Sequence, residues 1–148
     1  MNMKKFWIFL FAIGCLTTSK SFAQLRQGTM MIHAGLDAFK TDNDPFKVGQ
    51  KAQIGAEFNY FIVGRLPLNA GVEIQTQGTT ALTLGLRYYI IKPIFLRFRG
   101  FLSKDTDVAL GFGYSYFFNS KWAIEGIGDY YFKGGDLGLR VGFSRFFR

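Results

Sequence analysis

The stretch Thr80-Ala81-Leu82-Thr83-Leu84-Gly85-Leu86-Arg87-Tyr88-Tyr89-Ile90 decides the fold. Side chains of an extended strand alternate between two faces with period two. Thr80, Leu82, Leu84, Leu86, Tyr88 and Ile90 therefore share one face, apolar and ending in an aromatic. Ala81, Thr83, Gly85, Arg87 and Tyr89 share the other, which is small or polar and carries an arginine. The same alternation recurs along the chain, between turn signals spaced every ten to fifteen residues or so.

Seven further segments repeat it. Met30–Asp37 comes first, followed by a polar connection over Ala38–Gln50 that contains Lys-Thr-Asp-Asn-Asp-Pro, a loop by composition. Ala52–Tyr60 and Leu68–Gln75 are separated by Gly64-Arg65-Leu66-Pro67, and Thr76–Thr79 precedes the opening stretch. Ile94–Leu102 follows Lys92-Pro93, and Val108–Tyr116 follows Ser103–Thr106. Trp122–Phe132 and Leu137–Phe143 complete the set, with Asn119-Ser120-Lys121 and Lys133-Gly134-Gly135 as turns. Each segment has roughly the ten residues that a tilted strand needs to cross a bilayer. No segment shows helical periodicity with caps at matching spacing.

The two faces differ in kind. The Leu-, Ile- and aromatic-rich face carries no charge in any strand. The opposite face holds Asp37, Glu57, Glu73, Arg87, Arg97, Arg99, Glu125, Asp129 and Arg140, together with many glycines. An eight-stranded barrel has an interior just wide enough for its own side chains. The bulky apolar face does not fit such a lumen; the glycine-rich face does. The expected fold is all-β, an eight-stranded antiparallel up-and-down transmembrane β-barrel with its apolar face toward lipid. A secreted lipocalin-like barrel with an apolar cavity is the alternative, and it would leave nine charges on its surface. An open sheet edge in lipid leaves costly unpaired backbone groups, so the eighth strand is expected to pair with the first.

The chain has 148 residues, 18% aromatic, with a formal net charge of +8. That length fits one domain. Residues 1–23 read as a signal peptide: Lys4 and Lys5, then the short apolar run Phe6–Gly14, then Ser21-Phe22-Ala23 as a small-x-small cleavage pattern. Cleavage after Ala23 leaves residues 24–148 as the barrel and removes three lysines and no acid, leaving +5. An N-terminal helical anchor is the alternative. Cys15, the only cysteine, sits in Ala12-Ile13-Gly14-Cys15, which resembles a bacterial lipoprotein box with Ala12 where such boxes usually carry Leu. No Lys/Arg-rich run accompanies the basic surplus, so no nucleic-acid partner is expected.

With the N-terminus in the periplasm, Tyr60, Tyr88, Tyr116 and Phe147 fall at the periplasmic ends of down-strands and Trp122 starts an up-strand at the same level. These five form an expected interfacial girdle. The opposite rim is poorer in aromatics, with Phe132 and Phe39 as its candidates. The lumen charges, five acids and four arginines, are expected to pair and plug the barrel; a narrow ion path through the same residues is the alternative. Among the acids, Glu125 or Asp129 is the expected partner of Arg140.

The signal peptide, strand count and alternation over Met30–Phe147 resemble the small outer-membrane barrels of the OmpA/OmpX type. Asp136-Leu-Gly-Leu-Arg-Val-Gly-Phe143 is similar to that family's C-terminal assembly signal, although the chain continues through Ser144–Arg148. The resemblance implies outer-membrane localisation in a Gram-negative-type cell. It also implies contact with membrane lipid and lipopolysaccharide, and handling by the outer-membrane assembly machinery. A monomer with a structural or surface-interaction role is expected. Lipid-A deacylase barrels resemble this architecture too, but their His-x-Ser pair is absent: His33, the only histidine, is followed by Ala34-Gly35, and no serine is close to it in sequence. The expectation is therefore no enzyme, no cofactor and no metal; Cys/His clusters and phosphate-loop fingerprints are lacking.

Overall fold

A computed structural model describes residues 25–40, 53–75, 78–103 and 106–147, with the backbone alone for 38–40. The proposed signal peptide, Cys15 and most of the 38–50 loop lie outside the described residues. Eight strands run in chain order: β1 (Met30–Lys40), β2 (Gln53–Val63), β3 (Leu66–Gln75), β4 (Thr80–Ile91), β5 (Ile94–Leu102), β6 (Asp107–Phe117), β7 (Trp122–Tyr131) and β8 (Asp136–Phe147). Each pairs antiparallel with its sequence neighbour, and β8 closes on β1. The closing seam is continuous, from Met30↔Phe147 through Ala34↔Phe143 and Asp37↔Arg140. No strand edge is left open in the sheet.

Three strands run past their expected ends by three residues or more. β1 continues to Lys40, where the composition suggests loop, because β8 offers it partners beyond a bulge: Phe39 opposes Leu139 and Lys40 opposes Gly138. β2 runs to Val63 and carries its own bulge against β3 between Phe61 and Val63. β8 does not stop at Phe143 but alternates on to Phe147, with Ser144 and Phe146 turned inward. Unsatisfied main-chain groups explain all three: a strand continues as long as its neighbour presents a free ladder position.

Along the strands the alternation sorts apolar out and polar in. Leu82, Leu84, Ile54, Leu137 and Phe143 are each more than half exposed, while Arg87, Arg99, Arg140, Glu57 and Glu73 are fully buried. The lumen is layered. At the end where the chain reverses through 64–65, 92–93 and 118–121 (the turn end), Met31, Phe61, Tyr89, Phe95, Ala123, Ile127 and Phe146 form an apolar plug. Its rings touch in sequence: Phe61 stacks on Tyr89 at 5.9 Å between centroids, Tyr89 meets Phe95 tilted at 5.2 Å, and Phe117 packs tilted against Phe146 at 5.3 Å. The charges fill the middle. Ala81, Phe101, Ala109 and Tyr131 form a second, smaller apolar layer toward the other, loop end.

Glycines make this filling possible. A methyl group at Gly113 would overlap the Phe95 ring, and one at Gly111 would overlap the Asp129 carboxylate. Gly126, on the outer face of β7, has nothing within 4 Å of the same position. Gly113→Ala is therefore expected to cost about 1–3 kcal/mol through overpacking. Gly126→Ala should stay within about 0.5 kcal/mol of the parent, as surface substitutions do. Urea unfolding followed by tryptophan fluorescence compares the two, and equal midpoints would contradict the packed-lumen account.

Candidate functional site: the ionic core of the lumen

Seven of the eight strands each place at least one of the nine charged residues at the middle of the barrel; β6 contributes glycines and Ser115 instead. Glu57 on β2 is the hub. Its Oε1 stands 3.2 Å from Arg97 Nη1, 3.2 Å from Arg99 Nη1 and 3.6 Å from Arg140 Nη1, and its Oε2 accepts from Arg87 Nη2 at 2.9 Å. The arginines then reach outward to the other acids. Arg87 Nη1 donates to Glu125 Oε2 at 2.8 Å, and Arg99 Nη2 to Asp129 Oδ2 at 2.9 Å. Arg97 also pairs with Asp129, and Arg99 with Glu73.

Arg140 departs from expectation. Its partners are Asp37, through Nε, and Glu73, whose Oε1 lies 2.6 Å from Nη1; neither Glu125 nor Asp129 pairs with it. The register gives the reason. Arg140 stands directly opposite Asp37 across the β1–β8 seam, while on the β7 side it faces Ile127, with Glu125 opposite Gly142 and Asp129 opposite Gly138. Sequence adjacency of β7 and β8 suggested the wrong neighbour because closure supplies a nearer one.

Polar and aromatic side chains complete the shell. With its amide nitrogen turned to the carboxylates, Gln53 donates to Asp37 Oδ2 (3.0 Å) and Glu73 Oε2 (3.2 Å) and accepts from Gln75 Nε2 (3.2 Å). Tyr131 donates its hydroxyl to Asp37 Oδ2 at 3.1 Å, and Ser115 donates to Glu125 Oε1 at 2.8 Å. Phe95 and Phe101 cover guanidinium faces, with Arg87 and Arg99 Cζ each 4.9 Å from a ring centroid. None of these helpers carries a charge, so the sequence pattern that flags the ions is silent about them.

No serine is close to His33 in sequence, but one reaches it through the fold. Ser144, opposite His33 in the β1–β8 register, brings its Oγ to 3.0 Å from Nδ1. Glu125 Oε2 approaches that same nitrogen at 3.0 Å, and Nε2 has no partner among the described residues. A serine–histidine–acid relay needs nucleophile and acid on opposite ring nitrogens. Here both crowd one, inside a lumen where His33, Ser144 and Glu125 are fully buried. The pairing was invisible in sequence because 111 residues separate the two.

The five expected girdle residues lie at the turn end. Tyr60, Tyr88, Tyr116 and Trp122 are exposed on the outer face and Phe147 is half-buried beside them. At the loop end Phe132 is exposed and packs edge-on against Tyr130 at 5.2 Å.

Removing one partner of a buried pair leaves an uncompensated charge, at about 3–5 kcal/mol. Arg140→Ala is expected to destabilise by that order. Adding Asp37→Ala should return part of the loss, with a coupling of at least ~1 kcal/mol, whereas Arg140→Ala with Glu125→Ala, linked only through Glu57 and Arg87, should couple more weakly. Chemical unfolding of the two double-mutant cycles measures this; equal couplings would refute the assigned pairing.

No family model and no curated protein matches the sequence. Solved structures do. A de novo designed transmembrane β-barrel superposes with a TM-score of 0.65 at 14% identity, over 84% of this chain and 99% of that one. The N-terminal β-barrel domain of Pseudomonas aeruginosa OprF gives 0.55 at 16% identity, covering 82% and 98%. Ail, the attachment invasion locus protein of Yersinia pestis, gives 0.52 at 12% identity, covering 82% and 99%. At these identities the likeness is one of fold: the chain has the closed eight-stranded architecture of the small outer-membrane barrels.

Proposed function

We propose that the protein is an integral outer-membrane barrel, monomeric and non-enzymatic, with a structural or surface-interaction role and a lumen closed by its own ionic core. The observation that carries this reading is the inverted distribution of side chains. Leu36, Ile54, Phe58, Leu82, Leu84, Phe112, Leu139 and Phe143 stand on the outer surface, while nine charged residues of the strands are buried within. Water would penalise such a surface and lipid does not. Residues 1–23 fit this reading as a signal peptide cleaved after Ala23, with the turn end in the periplasm and the aromatic girdle at the inner interface. Membrane lipid and lipopolysaccharide are then its surroundings, and the outer-membrane assembly machinery its route there.

The lumen argues against transport. Its centre is crossed by ion pairs and its turn end is filled by the aromatic plug. The crowding of Ser144 and Glu125 on one nitrogen of His33 argues against hydrolysis.

The protein should fractionate with the outer membrane and migrate faster on a gel unless boiled. Leu84→Arg should lower folding stability in lipid by about 2–4 kcal/mol, the cost of an arginine at the bilayer midplane. Thr106→Arg, at the loop end, should be neutral. Equal folding yields for the two would sink the lipid-facing assignment. Planar bilayers should show no steady conductance, and incubation with lipid A or phospholipid should release no acyl chain. Ion-selective openings would favour a channel, and acyl release lost in His33→Ala would favour an enzyme.

A further inference from the structure

Among the described residues, the exposed charged side chains of the turn end are all of one sign. Arg26, Arg65, Lys92, Lys121 and Arg145 are all exposed there. The segments that build this end, 25–32, 58–70, 86–96, 112–124 and 143–147, contain no Asp or Glu at all. The opposite rim mixes signs among its described residues, with Asp107, Lys133 and Asp136.

One part of this collar is a formed site. A cleft of about 250 Å³ opens between the β6–β7 turn and the end of β8, lined by Ser120, Lys121, Arg145, Phe146 and Phe147. The turn beneath it is fixed: Asn119 Oδ1 accepts from the main-chain nitrogens of Lys121 and Trp122 at 2.8 Å each, and Phe146 N donates to Lys121 O at 2.7 Å. Arg145 is held by rings, its Cζ 5.1 Å from the Trp122 centroid and 5.0 Å from that of Phe147. With aromatic surface against the guanidinium faces, its donor-bearing edge is the part left to meet a ligand. Neither Lys121 nor Arg145 has a carboxylate partner among the described residues.

We infer that this cleft binds the phosphate of an anionic phospholipid of the adjoining leaflet, with Lys121 and Arg145 as charge partners and the Ser120 hydroxyl as a further donor. The inference rests on the membrane reading proposed above. Charge complementarity selects an anion. The planar donor fork of arginine suits phosphate oxygens. The position selects a lipid: the cleft adjoins Trp122 and lies at the level of Tyr60, Tyr88 and Tyr116, where aromatic belts meet headgroups. From there the acyl chains would run along the outward apolar faces of Ile124 and Phe143, which oppose each other in the β7–β8 ladder.

The test offers the detergent-solubilised full chain an equimolar mixture of phosphatidylglycerol and phosphatidylcholine and counts retained lipids by native mass spectrometry. Phosphatidylglycerol should be retained preferentially. Lys121→Gln with Arg145→Gln should reduce that preference about thirtyfold, as expected from roughly additive attraction per cation. Lys121→Arg with Arg145→Lys should keep most of it, and Lys133→Gln at the opposite rim should leave it unchanged. Heat-modifiable migration of every sample reads folding independently. An intact barrel whose preference survives the double Gln variant overturns the site and leaves the membrane reading standing. Inorganic phosphate displacing the lipid at equal concentration overturns the lipid assignment, as does stronger retention of lipid A than of phosphatidylglycerol. A chain that shows no heat-modifiable barrel in any lipid overturns the membrane reading, and the site with it.

Discussion

Everything in this barrel depends on having somewhere to put nine charges. A narrow lumen of low polarity is a costly place for any of them alone, since an unpaired buried ion loses its hydration without compensation. The structure meets this constraint by sharing. Glu57 has all four arginines around it, and each arginine also has another acid. Such an arrangement is weak evidence for stability, because a hydrophobic core of equal volume is often no worse. Its contribution is to the sorting of faces: the nine inward charges find counter-ions in one another, and the outer face of the strands is left largely apolar, with Arg145 at the turn end as an exposed exception.

The apolar layers then have a clear place. The plug of Phe61, Tyr89, Phe95 and Phe146 lies on the turn-end side of the ions, and Phe101 with Tyr131 lies toward the loop end. Rings on both sides keep water from competing for the guanidinium groups, and two of them lie directly against Arg87 and Arg99. Low local polarity strengthens paired charges as surely as it penalises unpaired ones.

Period two made most of the fold legible. Thr80–Ile90 alone shows which residues share a face, and the glycines opposite the large residues show which face is inside. What stayed hidden was whatever period two does not encode. Phe61 and Phe146 each adjoin an aromatic that reads as interfacial, Tyr60 before the one and Phe147 after the other, and only the continuation of β2 and β8 turns them inward. The partner of Arg140 depended on the closing seam, which has no local signature. The contact of Ser144 with His33 was hidden for the same reason, and the alternation that puts Gln53, Ser115 and Tyr131 on the inner face does not say which carboxylates they meet. The sequence thus identified the ions and left their pairing to the register.

The ionic core links residues far apart in the chain. Arg140 and Asp37 are 103 residues apart, Arg99 and Glu57 42, Arg87 and Glu125 38. No single hairpin holds a complete set of counter-ions. In the membrane proposed above, a partly inserted sheet would present bare arginines to hydrocarbon, and Asp37 on the first strand would lack its arginine until the last strand arrived. On that reading insertion and closure would favour a single concerted event, a checkpoint made of charge, because only the closed cylinder brings each of these ions to a counter-ion.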